Sequence, residues 1–190
     1  TNAFENHTNK WTHITGIIRG PTDMSIYVNG EDVGGSYEGT GGSMVTSSDD
    51  ALIGQIRSGN FDGTIDEVQV FNRALSTSEI NKLANPAKIK TGRFGSAVDI
   101  NEGTVLEYPI THGENHHSKL LCSFEDSYVC ETGQNGTKGG NPTFTNGKYG
   151  KGVEFDGNND YIQLGPSGLE ANNPISVSAW VRSNNLDGTQ

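Results

Sequence analysis

Residues 61–84, FDGTIDEVQVFNRALSTSEINKLA, hold a long strand and a short helix in one uninterrupted run. Thr64 to Asn72 alternates, with Val68 and Val70 on one face and Gln69 and Phe71 on the other, the period of two of a strand that buries one side. Ser76-Thr77-Ser78-Glu79 then has the spacing of a capping box, in which Ser and Glu side chains satisfy each other's backbone N–H groups. Ile80 and Leu83 fall on one side of the helix, which must stop near Asn85-Pro86. A strand closed by a helical turn reads as the end of a domain, yet it lies in the first half of the chain.

Upstream, Trp11 to Arg19 reads as a strand with Ile14 and Ile18 on one face, and Met24, Ile26 and Val28 alternate with Ser25 and Tyr27. Asn29-Gly30 follows at once, a strong hairpin signal because both residues tolerate positive φ. A short return strand runs to Val33. Residues 36–50 read as loop, and 51–54 as a short strand. Downstream, residues 119–164 read as the opening strands of a domain, and Ile175 to Arg182 as a further strand. There Ile175, Val177, Ala179 and Val181 face one way, with Ser176, Ser178 and Trp180 opposite. Residues 92–109, GRFGSAVDINEGTVLEYP, repeat the pattern of 147–165, GKYGKGVEFDGNNDYIQLG, and both read as a strand pair.

Composition agrees with a β protein. With 26 glycines and only 32% hydrophobic residues in 190, the chain suits short strands joined by tight turns rather than a helical bundle. A net charge of −10 argues against nucleic acid, whose phosphates need a basic surface. No run approaches the ~20 apolar residues of a membrane span, so no insertion is expected. A chain opening on Thr1 reads as a processed or excised product. Cys122 and Cys130, the only cysteines, are close enough for a local disulfide, and two unpaired buried thiols are the alternative. Asn6-His7-Thr8 and Asn135-Gly136-Thr137 are glycosylation sequons. Together these features point to an extracellular or cell-surface protein.

Two stretches carry a family resemblance. WTHITGIIRG, MSIYVNGEDVG and LIGQIRSGNFDGTIDEVQVFNRALSTSEI resemble the second half of a laminin G-like, concanavalin A-like jelly-roll domain. LLCSFEDS, GKYGKGVEFDGNNDYIQLG and ISVSAWVRS resemble the first half. The resemblance implies an all-β fold, an antiparallel two-sheet sandwich with one short helix after the strand at 64–72. Residues 1–85 then form the C-terminal half of a module, 86–118 a connecting segment carrying the repeat at 92–109, and 119–190 an N-terminal half. Between SAWVRSNNLDGTQ and TNAFENHTNKW the family places a further strand pair of roughly two dozen residues that this chain lacks. A segment across two tandem modules, a permuted module and a subunit that polymerises all fit that order. Incomplete half-sandwiches would expose strand edges and apolar faces, which invites association.

The resemblance also frames the chemistry. Retaining glucanases of this fold carry two glutamates around an aspartate, as in E-I-D-x-x-E, because nucleophile and proton donor must both be carboxylic acids about 5 Å apart. Here the segment is Thr64-Ile65-Asp66-Glu67-Val68-Gln69, with neither glutamate, so no catalytic residues and no enzyme activity are expected. Many members of the family hold calcium, an ion that takes six to eight oxygen ligands. The candidates are Asp66, Glu67, Glu125, Asp126, Asp156 and Asp160, which can equally serve turns and caps. His112, His116 and His117 read as part of a solvated connection. Tyr37, Tyr128, Tyr161 and the loops 158–160 and 172–173 could contribute to a glycan site, with no ligand-binding residue singled out. The expected function is recognition or assembly, through copies of the chain or adjacent repeats. The alternative is a calcium-assisted, lectin-like adhesion domain that binds extracellular glycan or protein.

Overall fold

The computed structural model describes residues 6–34, 50–56, 59–85, 118–130, 132, 135–166 and 173–185. Tyr37, the repeat at 92–109, His112, His116, His117 and Asn172 lie outside the described residues. The first half gives β1 (Thr12–Ile18), β2 (Met24–Val28), β3 (Glu31–Asp32), β4 (Asp50–Ile53), β5 (Gln55–Ile56), β6 (Gly59–Asn60), β7 (Asp62–Phe71) and the helix α1 (Thr77–Ala84). The second half gives β8 (Ser118–Cys122), β9 (Thr137–Gly139), β10 (Thr143–Asn146), β11 (Lys151–Asp156), β12 (Tyr161–Pro166) and β13 (Ile175–Ser183).

These strands form an antiparallel sandwich. The large sheet runs β10-β11-β7-β13-β1-β2-β3, with β8 also on β7, and the small sheet runs β4-β12-β9. The two halves of the sequence interleave: β7 pairs with β8, β11 and β13, and β1 pairs with β13. The sheets enclose a core of Ile65, Val68, Leu120, Cys122, Phe124, Val153, Phe155, Ile162 and Leu164.

Local chemistry explains the elements. Asn29 and Gly30 take φ of 52° and 89°, the doubly positive turn that joins two right-twisted strands. The Asn29 side-chain oxygen also accepts the His13 N–H at 3.0 Å, pinning the turn to β1. In α1 the capping box forms as expected, with Ser76 accepting from the Glu79 N–H and Glu79 from the Ser76 N–H. Arg73 grips the same Glu79 carboxylate through both guanidinium nitrogens, at 2.6 and 3.0 Å. The Arg73 bond, foremost, holds that carboxyl down at about 2. Ile80, fully buried, then packs with Ile17, Tyr27, Phe71 and Leu75 on the outer side of the large sheet.

One strand departs from simple alternation. Glu67 has a φ of 51°, and the β7–β13 register shifts between Ser178 and Trp180, opposite residues 66–69. The extra residue is a β-bulge, which resets the faces. Ile65 and Val68 consequently both enter the core, although they are three residues apart. The bulge also divides the edge of β7, which pairs with β11 over 62–65 and with β8 over 68–71.

Two expectations change. The motif at 147–165 is not a hairpin: β11 belongs to the large sheet and β12 to the small one, so the connecting turn crosses between layers. The apolar side of β13 exists as read, but it is not buried throughout, since Val177 is 43% exposed. Alternation assigns residues to a face; it does not say whether anything covers that face.

Cys122 and Cys130 form a disulfide, and both are buried. The bridge closes a loop between positions eight apart, for which chain entropy gives about 2–3 kcal/mol. Reduction should therefore lower the urea midpoint by that equivalent without abolishing the sandwich. An unchanged midpoint after reduction, verified by thiol titration, would contradict it.

Candidate functional site

The inner face of the large sheet continues past the part that the small sheet covers. Register places Ile18 between Ile175 and Met24, and Ile14 between Ala179 and Val28. Between those rows runs a third: Val70 opposite Val177, Val177 opposite Gly16, and Gly16 opposite Ile26. The β2–β3 register, extended by the Val33 N–H to Ile26 carbonyl bond at 3.0 Å, adds Val33 to that row. Val70, Ala179 and Val181 pack against the core, so the surface is an outward continuation of it.

Among the described residues this continuation is open. Six large hydrophobic side chains are exposed, and four of them, Met24, Ile26, Val33 and Val177, stand on this one face. Above Gly16, in mid-strand, a Cβ would meet nothing within 4 Å. The face carries no charged side chain until Glu31, opposite Val28 at its margin. Scattered exposed apolar residues are ordinary on a soluble protein, but a contiguous apolar sheet face marks a place where something docks.

The outer face has a different chemistry. Its rows include Thr64, Arg182 and Trp11, then Asp66, Trp180 and His13, then Gln69, Ser178 and Thr15. Lys148 Nζ lies 4.2 Å from the Trp180 ring centroid, and Tyr149 meets Trp180 edge-on at 6.1 Å. Arg182 covers Trp11 at 5.2 Å and donates to the Thr64 hydroxyl at 3.1 Å. His13 also packs edge-on to Trp180, at 5.2 Å. Burial pushes its imidazole down to about 4.

Asp66 ties the turn at 147–150 to this face. Its Oδ2 accepts the N–H of Lys148 at 2.7 Å and of Tyr149 at 3.0 Å, while Oδ1 accepts the Glu67 N–H at 2.7 Å. Burial raises the carboxyl to about 7, against the pull of those three donors and with a smaller push from the Glu125 charge. Glu125 serves the far end of the turn, accepting the Lys151 N–H through both oxygens, at 3.1 and 3.2 Å.

The six calcium candidates therefore divide. Asp66, on β7, and Glu125, just beyond β8, converge on one turn. Asp156 and Asp160 share a second turn: Asp156 Oδ1 accepts the Asn158 N–H at 2.9 Å, and Asp160 accepts those of Asn141 at 2.6 Å and Asp156 at 3.1 Å. Glu67 forms the bulge, and Asp126 lies exposed at a φ of 54°. Among the described residues no group of three or more His, Cys, Asp or Glu is arranged to hold a metal ion. Tyr128 stacks on Phe144 at 4.6 Å and donates to the Pro142 carbonyl at 2.9 Å, while Tyr161 is half-buried over Gly139. Asn6 and Asn135 are exposed.

The bulge also aligns the positions relevant to glycoside cleavage. Residues 64, 66 and 69 share the outer face, and they are Thr, Asp and Gln. A hydroxyl and a carboxamide offer neither the nucleophile nor the proton donor that two carboxylic acids supply. Sequence reading did not single out the residues of the open face, because Met24, Ile26 and Val177 alternate as core residues do.

Residues 1–81 match the laminin G family model of the concanavalin A-like lectin/glucanases superfamily. No curated protein and no solved structure matches the chain. The match covers β1 to β7 and the first turns of α1, the strands that carry much of the open face and the bulge. Residues 1–81 are thus similar to a laminin G-like domain, and the antiparallel β-sandwich is consistent with the concanavalin A-like lectin/glucanases superfamily.

Proposed function

We propose that this protein is a non-catalytic extracellular recognition and assembly module whose working surface is the open inner face of the large sheet. One observation carries the reading: among the described residues, four of the six exposed large hydrophobics share a single uncovered face that continues the core. A β-sandwich protein gains from burying such a face, at roughly 25 cal/mol per Å² of apolar surface removed from water. The disulfide and the two exposed sequon asparagines support an extracellular location.

Val177→Asp and Ile26→Asp test it, because both positions are 43% exposed. Each variant should lose less than about 1 kcal/mol of stability, as exposed positions do. Each should also bind less of a hydrophobic fluorophore such as anilinonaphthalene sulfonate than the parent. Unfolding on the scale of a core substitution would show instead that the face is covered, and would remove the basis of the reading.

A further inference from the structure

We propose that Asn135 is the attachment point of an N-linked oligosaccharide whose first sugar covers Val129. The proposal rests on the reading of the protein as extracellular and is independent of what meets the open face. Three observations carry it.

The first is the orientation of the sequon. Asn135-Gly136-Thr137 runs into β9, with its middle residue turned inward. A Cβ at Gly136 would stand 2.6 Å from the Tyr128 carbonyl oxygen and 2.8 Å from Cγ2 of Ile162, which is fully buried. Asn135 and Thr137, both exposed, then face the other way, as alternate residues of extended chain do. The acceptor amide and the hydroxyl two residues on therefore share one solvent-facing side. The sequon at Asn6 lacks this arrangement, because Asn6 turns the chain at a φ of 69° and Thr8 is half-buried.

The neighbour is the second. Val129 pairs with Asn135 in an isolated antiparallel bridge. The Gly136 N–H donates to the Tyr128 carbonyl at 2.9 Å, and the Val129 N–H donates to the Ser127 hydroxyl at 3.0 Å. Residues 129 and 135 are thus a non-hydrogen-bonded pair, in which Cα atoms approach to about 4.5 Å and the side chains share a face. Val129 is 52% exposed, more than any other large hydrophobic among the described residues. A sugar on Asn135 Nδ2 is held beside it and can lay the apolar C–H face of its ring over the isopropyl group, removing both from water.

Rigidity is the third. The residue after Val129 is Cys130, buried and bridged to Cys122, so the apolar platform is fixed before any sugar arrives. A preorganised contact forgoes little conformational entropy.

Attachment is a group transfer from an oligosaccharide carried on a lipid pyrophosphate. Asn135 Nδ2 attacks the anomeric carbon, forming the C–N bond. The C–O bond to pyrophosphate breaks, the pyrophosphate leaves with the electron pair, and Nδ2 gives up one proton. Nothing is oxidised or reduced.

Translation of the full chain into eukaryotic microsomes behind a cleavable leader, followed by peptide mass spectrometry, reads attachment without requiring a variant to fold. Asn135 should be modified in the parent and in Thr137→Ser, and unmodified in Thr137→Ala. The chain secreted from eukaryotic cells reads the contact: its Tm should exceed that of Asn135→Gln by about 2 °C. Trimming to the first sugar should keep that difference, and Val129→Ser should remove it. An unmodified Asn135 in the parent overturns the site. A difference that survives Val129→Ser, or none at all, overturns the contact with Val129. Reduced Cys122 and Cys130 in protein from its natural source would overturn the extracellular reading, whereas an oxidised bridge beside an unmodified Asn135 there overturns the site alone.

Discussion

Replacing Asp66 by Asn should turn a shallow pH profile of stability into one that rises between pH 4 and 6.5. The carboxylate takes three backbone N–H donors, from Glu67, Lys148 and Tyr149, and so holds both the bulge and the turn that places Lys148 over Trp180. A carboxamide presents a single acceptor oxygen and turns N–H groups against N–H groups, leaving buried donors unsatisfied at ~1–3 kcal/mol each. The Asp66 carboxyl, raised by burial to about 7 from 3.8, binds its proton more tightly in the folded chain than in the unfolded one. Its contribution to stability is complete below pH 3.8 and is lost as pH rises through about 7.

His13 slopes the other way. Its imidazole is lowered by burial from 6.5 to about 4, so its contribution is complete above pH 6.5 and is lost as pH falls through about 4. Shifts of this size correspond to about 3–4 kcal/mol each, and they oppose one another between pH 4 and 6.5. The parent should therefore show a shallow stability profile in that window. Asp66→Asn should unmask the His13 slope, with stability rising from pH 4 to 6.5, and His13→Gln should unmask the Asp66 slope, with stability falling toward pH 7. Urea unfolding at pH 4, 5.5 and 7 measures all three; parallel profiles for parent and variants would refute the assignment.

Phe155→Ala should have the second large effect, a loss of about 3–5 kcal/mol. Phe155 is 1% exposed on β11, between the sheets, and meets Phe61 edge-on at 6.4 Å. Its ring lies against Gly54, where an added Cβ would stand only 2.3 Å from two ring atoms. Gly54 offers no side chain that could fill the space left by the ring, so much of the cavity should persist. Differential scanning calorimetry reads the loss, and Phe155→Leu, which keeps most of the volume, should recover more than half of it. Equal losses for the two substitutions would mean that the neighbours relax freely.

Much of the architecture was legible because it rests on short-range chemistry. The turn at Asn29-Gly30, the capping box at Ser76 and Glu79 and the alternation of β1, β2 and β13 all need only neighbouring residues to be recognised. The site was less legible. Asp66 could be read as a metal ligand or as a turn anchor, since a carboxylate serves either, and the backbone donors it accepts lie 82 and 83 residues away. The motif at 147–165 resembled a hairpin because two alternating strands around a polar turn look alike whether they pair or cross between layers.

The residues alone read as two halves in reversed order, a closing strand and helix at 61–84 before opening strands at 119–164. Composition and periodicity determined that the chain is β-rich, which residues form strands and which side of each is apolar, because those properties follow from local sterics and hydrophobic alternation. Only the tertiary structure decided which apolar sides meet. It inserted β13 between β7 and β1, drawing the halves into one sheet, and it covered Val181 while leaving Val177 open. Burial is a relation between distant segments, and a repeating pattern along one segment carries no record of what lies opposite.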